Sequence, residues 1–332
     1  MRHVEGYPRL GAFGVERYVS PKLCATRDLL QLCEECGIDV RAFEKHFTRG
    51  PPKDLVVVRG AAKYNEERKF KGKVLRVDVP AQLRDEVHEL NTFLESHTLE
   101  HGTHRGFFRG YNNGDVEGFA FNKGGRLYSA GEDSYQNLTD RLTMKIDGEP
   151  VAEVDVRASY LTILYAIHQC NFEGDPYVVT PLGLPARDAV KMFIAATIGN
   201  GAPRKRWSRK QAKAFQEKTG IPLQERWPIA TIARWTLERH PILLTLNQPI
   251  NGRVVDWSHL MWVESEAIVK TMLDLKRAYK IPSYPVHDSL IVPKSKATRA
   301  KKQLEAHYYG ELLEYYSQPT APRLRILPED TP

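Results

Sequence analysis

Cysteine is scarce in this chain, with four in 332 residues. That is too few for a disulfide framework, so a packed core must hold the fold. Long apolar runs are missing as well. The best stretch, Ala158 to Ile167, falls short of the roughly 18 to 20 residues that span a bilayer. Met1-Arg2-His3 leads into no signal-type apolar segment, and the expectation is a cytoplasmic protein with no membrane partner. Neither sign of charge dominates: 48 basic against 41 acidic residues give +7, a bias that permits a polyanionic partner without requiring one. With 42% hydrophobic and 27% charged residues, disordered and collagen-like chains are excluded. The length fits about two domains at roughly 150 residues each.

What is present differs between the two ends of the chain. Residues 1–105 carry no catalytic motif and read as a small N-terminal accessory domain. Arg27 to Gly37 has the spacing of a short amphipathic helix ended by Gly37, and Cys33-x-x-Cys36 lies within it. With Cys24 nearby and His46 as a candidate fourth ligand, structural zinc is one reading; buried thiols are the other. Leu55 to Arg59 and Val74 to Val79 read as strands and Gln82 to His97 as a helix. The basic stretch Lys63 to Lys73 is interrupted by Glu66 and Glu67, as expected of a solvated face.

From residue 106 the texture becomes aromatic and glycine-rich, with strand-like Phe107 to Tyr111 and Gly118 to Asn122 and a turn at Lys123-Gly124-Gly125. Val151 to Asp155 reads as a strand running into a helix over 158–168. Further helices are predicted over 186–198, 208–219, 222–240, 256–280 and 296–317. Tyr284 to His287 and Ser289 to Val292 are β-rich runs that meet at Asp288.

Asp155 and Asp288 would each stand at the edge of a sheet, far apart in sequence. Two such carboxylates suit a hard divalent cation that also binds phosphate, although an aspartate at a strand end is also a common turn residue. Arg187 and Lys191, at i and i+4 on one helix, project from one face and could grip a triphosphate, or simply lie in solvent. Arg204 to Lys213 holds six cations, no acid and the interleaved Trp207, a pattern that fits phosphate-backbone contact as well as a basic helix start.

Taken in chain order, Gly125-Arg-Leu-Tyr-Ser129, Tyr135-Gln-Asn-Leu138 with Arg141, Asp155, Arg187-x-x-x-Lys191 and His287-Asp288 resemble a known signature. It is that of family A (DNA polymerase I-like) DNA polymerases and the related phage-type single-subunit RNA polymerases: Thr-Gly-Arg-Leu-Ser-Ser, Asn-Leu-Gln-Asn, the aspartate opening motif A, Arg-x-x-x-Lys of motif B and His-Asp of motif C. The likeness spans about residues 105–300.

The resemblance implies an α+β, right-hand polymerase. An antiparallel palm sheet would occupy about 106–180 and 250–332, with helical fingers at about 181–249. Residues 1–105 would be a thumb-like accessory domain, too short for a full thumb and an exonuclease, so proofreading is expected to be absent. Asp155 and Asp288 would hold two magnesium ions, with manganese able to substitute. Arg187 and Lys191 would hold the β- and γ-phosphates, Lys191 also serving as proton donor to pyrophosphate. Arg126 and His287 would lie near the primer terminus. Gln136, Asn137 and Arg141, with Arg204, Lys205, Arg206, Arg209 and Lys210, would contact nucleic acid. Expected partners are a DNA primer and template with dNTPs, with RNA as an alternative strand and a protein supplying priming or processivity, in a bacterial, phage or mobile-element setting.

Three departures bear on the substrate. Tyr160 stands where the DNA enzymes carry a glutamate gate and the RNA enzymes a small residue; as in family B polymerases, a tyrosine there would clash with a ribose 2′-hydroxyl. It fits equally a buried aromatic on a first helical turn. Ala195 and Gly199 replace the aromatic and Tyr-Gly of motif B, removing the usual platform for the templating base. Ser289 follows His-Asp as in the RNA enzymes. A dNTP polymerase is therefore expected, with an RNA polymerase or primase, a catalytically silent nucleic-acid-binding palm and a two-metal nuclease as rivals.

Overall fold

The computed structural model describes residues 2–4, 7–11, 14–19, 22–24, 26–42, 51–64, 69–70, 72–131, 133–250 and 253–329. The chain forms two compact units, Met1–Gly50 and Pro51–Pro332. In the first, β1 (Arg2–Val4) pairs with β4 (Lys22–Cys24) and β2 (Tyr7–Gly11) with β3 (Gly14–Val19), all antiparallel. Helix α1 (Arg27–Glu35) follows, its first turn capped by Thr26 and its end marked by Gly37 at φ +67°. Cys33 is a half-buried and Cys36 an exposed free thiol. The Cys24 side chain and His46 lie outside the described residues, and so does a zinc site built on them.

The second unit opens with β5 (Val56–Val58), the small hairpin β6 (Lys63–Tyr64) and β7 (Lys69–Phe70), and helix α2 (Ala81–Leu94). Then come β8 (Leu99–Glu100), β9 (Phe107–Tyr111), β10 (Gly124–Ser129), β11 (Lys145–Ile146) and β12 (Glu149–Arg157). Helix α3 (Ser159–Ile167) leads to a helical stretch, α4 (Arg187–Asn200), α5 (Arg209–Thr219), α6 (Leu223–Arg226) and α7 (Ile229–Arg239). The hairpin β13 (Pro249–Ile250) and β14 (Arg253–Val254) precedes the long α8 (Trp257–Tyr279). The chain closes with β15 (Tyr284–Val286), β16 (Ser289–Pro293), α9 (Ala297–Leu313) and β17 (Arg323–Leu327).

The largest sheet has the order β15-β16-β12-β11-β8, with β17 also on β12, and every pairing in it is antiparallel. A mixed chain with helices packed on antiparallel sheets is the pattern of the α+β class. β12 carries buried Val151, Ala152, Val154 and Val156, so both its faces are covered. Helix α3 is buried at eight of its nine positions, as an all-round apolar helix must be. Helix α8 starts at Asp256, whose carboxylate accepts from the Ser258 and His259 amides and pairs with Lys123 at 3.0 Å.

A second sheet, β10-β9-β5, combines an antiparallel and a parallel pairing. Arg109 of β9 is fully buried there. Its Nη1 donates to Glu86 of α2 at 3.1 Å, its Nε to the Gly125 carbonyl at 2.9 Å and its Nη2 to Glu266 of α8, so one guanidinium joins three elements.

Some sequence expectations give way. Val74 makes only an isolated bridge to Arg59, because Pro80 already opens α2 and the intervening chain stays irregular. Residues 118–122 form turns, with Gly118 and Phe121 at positive φ, rather than a strand. Gly124 and Gly125 sit in β10 beside a bulge instead of in a hairpin turn. The helix expected over 222–240 is broken at Trp227 by Pro228, which opens α7. Among the described residues no helix is long and apolar enough to cross a membrane.

Candidate active site

Asp155 lies near the end of β12, three residues before the chain turns through Ala158 at φ +57° into α3. Asp288 occupies the tight turn from β15 to β16, whose tip is set by His287 at φ +56°. The register pairs Asp155 with Ser289, and the Val156 amide donates to the Asp288 carbonyl at 3.2 Å. Antiparallel pairing thus brings the two backbone positions together at one end of the sheet, a consequence of sheet geometry that no local sequence pattern contains.

Both line a cleft of about 630 Å³ that also takes in Arg126, Tyr160, Arg187, Lys191, Glu264 and Arg325. Burial pushes the Asp288 carboxyl up to about 7, and the Glu264 and Asp155 carboxylates add to the rise. Asp155 is partly compensated, since Arg325 Nε of β17 donates to its Oδ2 at 2.7 Å.

A buried polar chain supports this acidic floor. Arg126 Nη2 lies 2.5 Å from Glu264 Oε1 and 3.1 Å from the Tyr160 hydroxyl, and its Nη1 is 3.2 Å from His287 Nδ1. Glu264, on α8, is 1% exposed and takes a second bond from Ser159 Oγ at 2.5 Å; the Tyr308 hydroxyl lies 2.8 Å from that same Oγ. Burial works against the Arg126 charge, but Glu264 reverses the effect and holds its pKa above the ordinary value. Burial raises Tyr160, and Glu264 beside it does the same. Partial desolvation, with the Arg126 and Arg141 charges, lowers His287.

Across the cleft, Arg187 and Lys191 face Tyr177, at 5.2 and 5.8 Å from the ring centre. Arg187 Nε donates to Asp175 at 2.8 Å; burial works to raise that carboxyl, but this bond, the Tyr177 amide and the Arg187 and Arg323 charges together keep it below its usual range. Burial pushes Tyr177 up to about 12. Asp188 is lowered by its hydrogen bond from Lys218.

The remaining sequence-derived positions are distributed differently. Gln136 is committed to backbone: its Nε2 donates to the Leu127 and Pro285 carbonyls at 3.1 and 2.8 Å, and its Oε1 accepts from the Ser129 amide. Arg141 pairs with Glu153 at 3.2 Å, while Asn137 is exposed. Arg204, Lys205 and Arg206 are exposed ahead of α5, and Arg209 and Lys210 in its first turn, outside the cleft lining. Ser289 is buried, its Oγ 2.5 Å from Glu153 and 2.9 Å from the Val286 carbonyl. The sequence reading missed Glu264, Arg325, Asp175 and Tyr177.

Among the described residues no trio of His, Cys, Asp and Glu is placed to hold a metal ion. What the cleft offers is the Asp155 and Asp288 carboxylates in one lining, with Asp288 raised chiefly by burial and further by the Glu264 and Asp155 charges. That donor set fits a hard cation that takes one or two protein carboxylates and completes its shell with water and phosphate oxygens.

No family model and no curated protein matches the sequence. Among solved structures, the chain is similar to the POL domain of Pol1 from M. smegmatis, in complex with DNA primer-template and dNTP, at 11% identity and a TM-score of 0.33. The match covers 74% of this chain and 51% of that one, so the chain spans about half the length of that structure. A likeness this faint carries no functional argument, which has to come from the cleft.

Proposed function

We propose that the cleft of residues 51–332 catalyses template-directed nucleotidyl transfer, adding dNTPs to a nucleic-acid 3′-hydroxyl without proofreading. The observation that carries this is the placement of Asp155 near the end of β12 and Asp288 in the neighbouring β15–β16 turn, with Arg187 and Lys191 lining the same cleft. A carboxylate pair facing a cation pair is what a reaction between a hydroxyl and a magnesium triphosphate needs. A nuclease would use the acids but leave Arg187 and Lys191 without a role.

In this reading Asp155 and Asp288 hold the cations. Magnesium held there would lower the pKa of the primer 3′-hydroxyl and neutralise charge on the triphosphate and leaving pyrophosphate. Arg187, steadied by Asp175, and Lys191 grip the β- and γ-phosphates, and Lys191 gives a proton to the departing pyrophosphate. Arg126 and His287 meet the primer terminus. The Tyr160 ring lies under the sugar and disfavours a 2′-hydroxyl. The helices of 184–244 take the part of fingers and the β12 sheet that of palm. The exposed cations of 204–210 lie against a phosphate backbone.

Ser289, the residue that matched the RNA enzymes, is engaged with Glu153 and Val286 and says nothing about the sugar. The deciding experiment is extension of a labelled primer on a short template with magnesium and either dNTPs or NTPs, with Asp155→Ala and Asp288→Ala as controls. Extension with dNTPs that both substitutions abolish supports the proposal. Preference for NTPs replaces it with an RNA polymerase or primase, and no incorporation with intact nucleic-acid binding replaces it with a binding module.

A further inference from the structure

We infer that a second cavity, on the open face of the β10-β9-β5 sheet, binds unpaired bases of a single nucleic-acid strand beside the catalytic cleft. The groove measures about 490 Å³, in the range of sites that enclose a ligand of nucleotide size. Its lining is aromatic. Phe108 and Tyr128 are direct cross-strand partners in the β9–β10 register, and their rings stack at 5.5 Å with 27° between planes. Trp257, at the start of α8, lines the same groove. Phe108, Tyr128 and Trp257 are each only half-buried, so aromatic surface remains for a ligand.

Glycine at 110 keeps the platform flat. A Cβ there would come within 2.7 Å of Tyr128 Cε2, so any side chain would lift the ring from the sheet. The groove has polar groups as well. Asn112 and Arg59 line it. Stacked rings beside the Arg59 cation suit a polyanion with exposed bases, because stacking accepts any base and a cation holds the backbone.

Position ties the groove to a strand rather than to a free small molecule. Along a strand, residues two apart share a face. Arg126 and Tyr128 therefore lie on one face of β10, the first lining the catalytic cleft and the second the groove. A strand in the groove would run along β10 to Arg126 and the acids. The choice of a nucleic-acid strand rests on the proposed function, whereas the stacking site rests on the groove itself.

The test uses the whole chain without magnesium or nucleotide, and follows binding of short labelled oligothymidylate, oligouridylate and a blunt duplex by fluorescence anisotropy. Both single strands should bind more tightly than the duplex, and the ratio between them tells DNA from RNA. Phe108→Ala and Tyr128→Ala should each weaken single-strand binding about tenfold with an unchanged dependence on salt. Phe108→Leu keeps apolar bulk without a stacking face and should behave as Phe108→Ala. Full binding in that leucine variant would overturn stacking, and so would wild-type affinity in both alanine variants. Competition by free thymidylate equal to that of the oligomer would overturn the strand. Because a variant can fail to fold, a 5-iodouracil strand is also cross-linked to the wild-type chain, with adducts expected on Phe108, Tyr128 or Trp257; adducts confined elsewhere would overturn the site. The assay needs no turnover, so a chain that binds in the groove yet extends no primer loses the catalytic proposal and keeps this one. Extension together with unaltered binding by the groove variants does the reverse.

Discussion

Arg325 donates through Nε to Oδ2 of Asp155 at 2.7 Å, and the two residues are direct partners in the β12–β17 register. The sheet itself therefore holds a cation against one oxygen of the carboxylate proposed to bind metal. Groups that orient a metal ligand typically cost 10- to 100-fold in affinity or activity when removed. Arg325→Ala should lose primer extension by about that factor and shift the magnesium concentration required, with Arg325→Lys recovering part of it. A magnesium titration identical to wild type would show that the contact only pins β17.

The pH response of Asp288 has a defined sign. Its carboxyl titrates at about 7 in the fold against 3.8 ordinarily, so between those values the folded chain holds a proton that the unfolded chain has lost. Metal-free stability should fall as pH rises through this window and level off above it. Asp288→Asn cannot titrate, and its melting temperature should change less between pH 5 and pH 8, values that bracket about 7. The same proton competes with a cation, so the magnesium needed for half-maximal extension should fall as pH rises through 7. A requirement independent of pH would remove Asp288 from the metal site.

How much of this was readable in the sequence follows from whether a residue's role is local. β12, α3, α4, α8 and the β15–β16 turn show in hydrophobic periodicity, and with them the positions of Asp155, Asp288, Arg187 and Lys191. Glu264 was hidden because one acid between Val263 and Ser265 in a long helix reads as an ordinary polar position. Only the packing of α8 against α3 and β10 buries it on Arg126 and Ser159. Arg325 was hidden because β17 reaches Asp155 through a non-local pairing. Gln136 matched a nucleic-acid motif, yet its amide is spent on backbone that three-dimensional proximity alone supplies.

Arg109 offers a stability test away from Asp155 and Asp288. It is fully buried between Glu86 and Glu266, and removing one member of a buried ionic group typically costs about 3 to 5 kcal/mol because the others lose their partner. Arg109→Met should lower the stability of the second unit, followed by urea unfolding, by an amount in that range. A change under about 1 kcal/mol, the level of a surface pair, would show that solvent already compensates the two glutamates.

The cations ahead of α5 should act through charge rather than shape. Arg204, Lys205 and Arg206 are all exposed, and each phosphate that a protein neutralises on a duplex steepens the logarithmic salt dependence of binding by about 0.9. Replacing all three with alanine should weaken duplex binding at low salt, reduce that slope by up to about 3, and leave thermal stability unchanged. An unaltered slope would assign the segment to the solvated surface.

Tyr160 separates sugar discrimination from support of the arginine. Its ring lines the cleft, and its hydroxyl accepts from Arg126 at 3.1 Å. Tyr160→Phe keeps the ring and removes only that bond, so preference for dNTPs over NTPs should persist while extension slows. Tyr160→Ala opens the space under the sugar. One small group in a pocket is worth about 10- to 200-fold in discrimination, and the preference should narrow by a factor in that range when both nucleotides are titrated on one primer. If the alanine variant keeps its selectivity while extending more slowly, the ring is a packing element on the first turn of α3, and selection against the 2′-hydroxyl must come from another wall of the cleft.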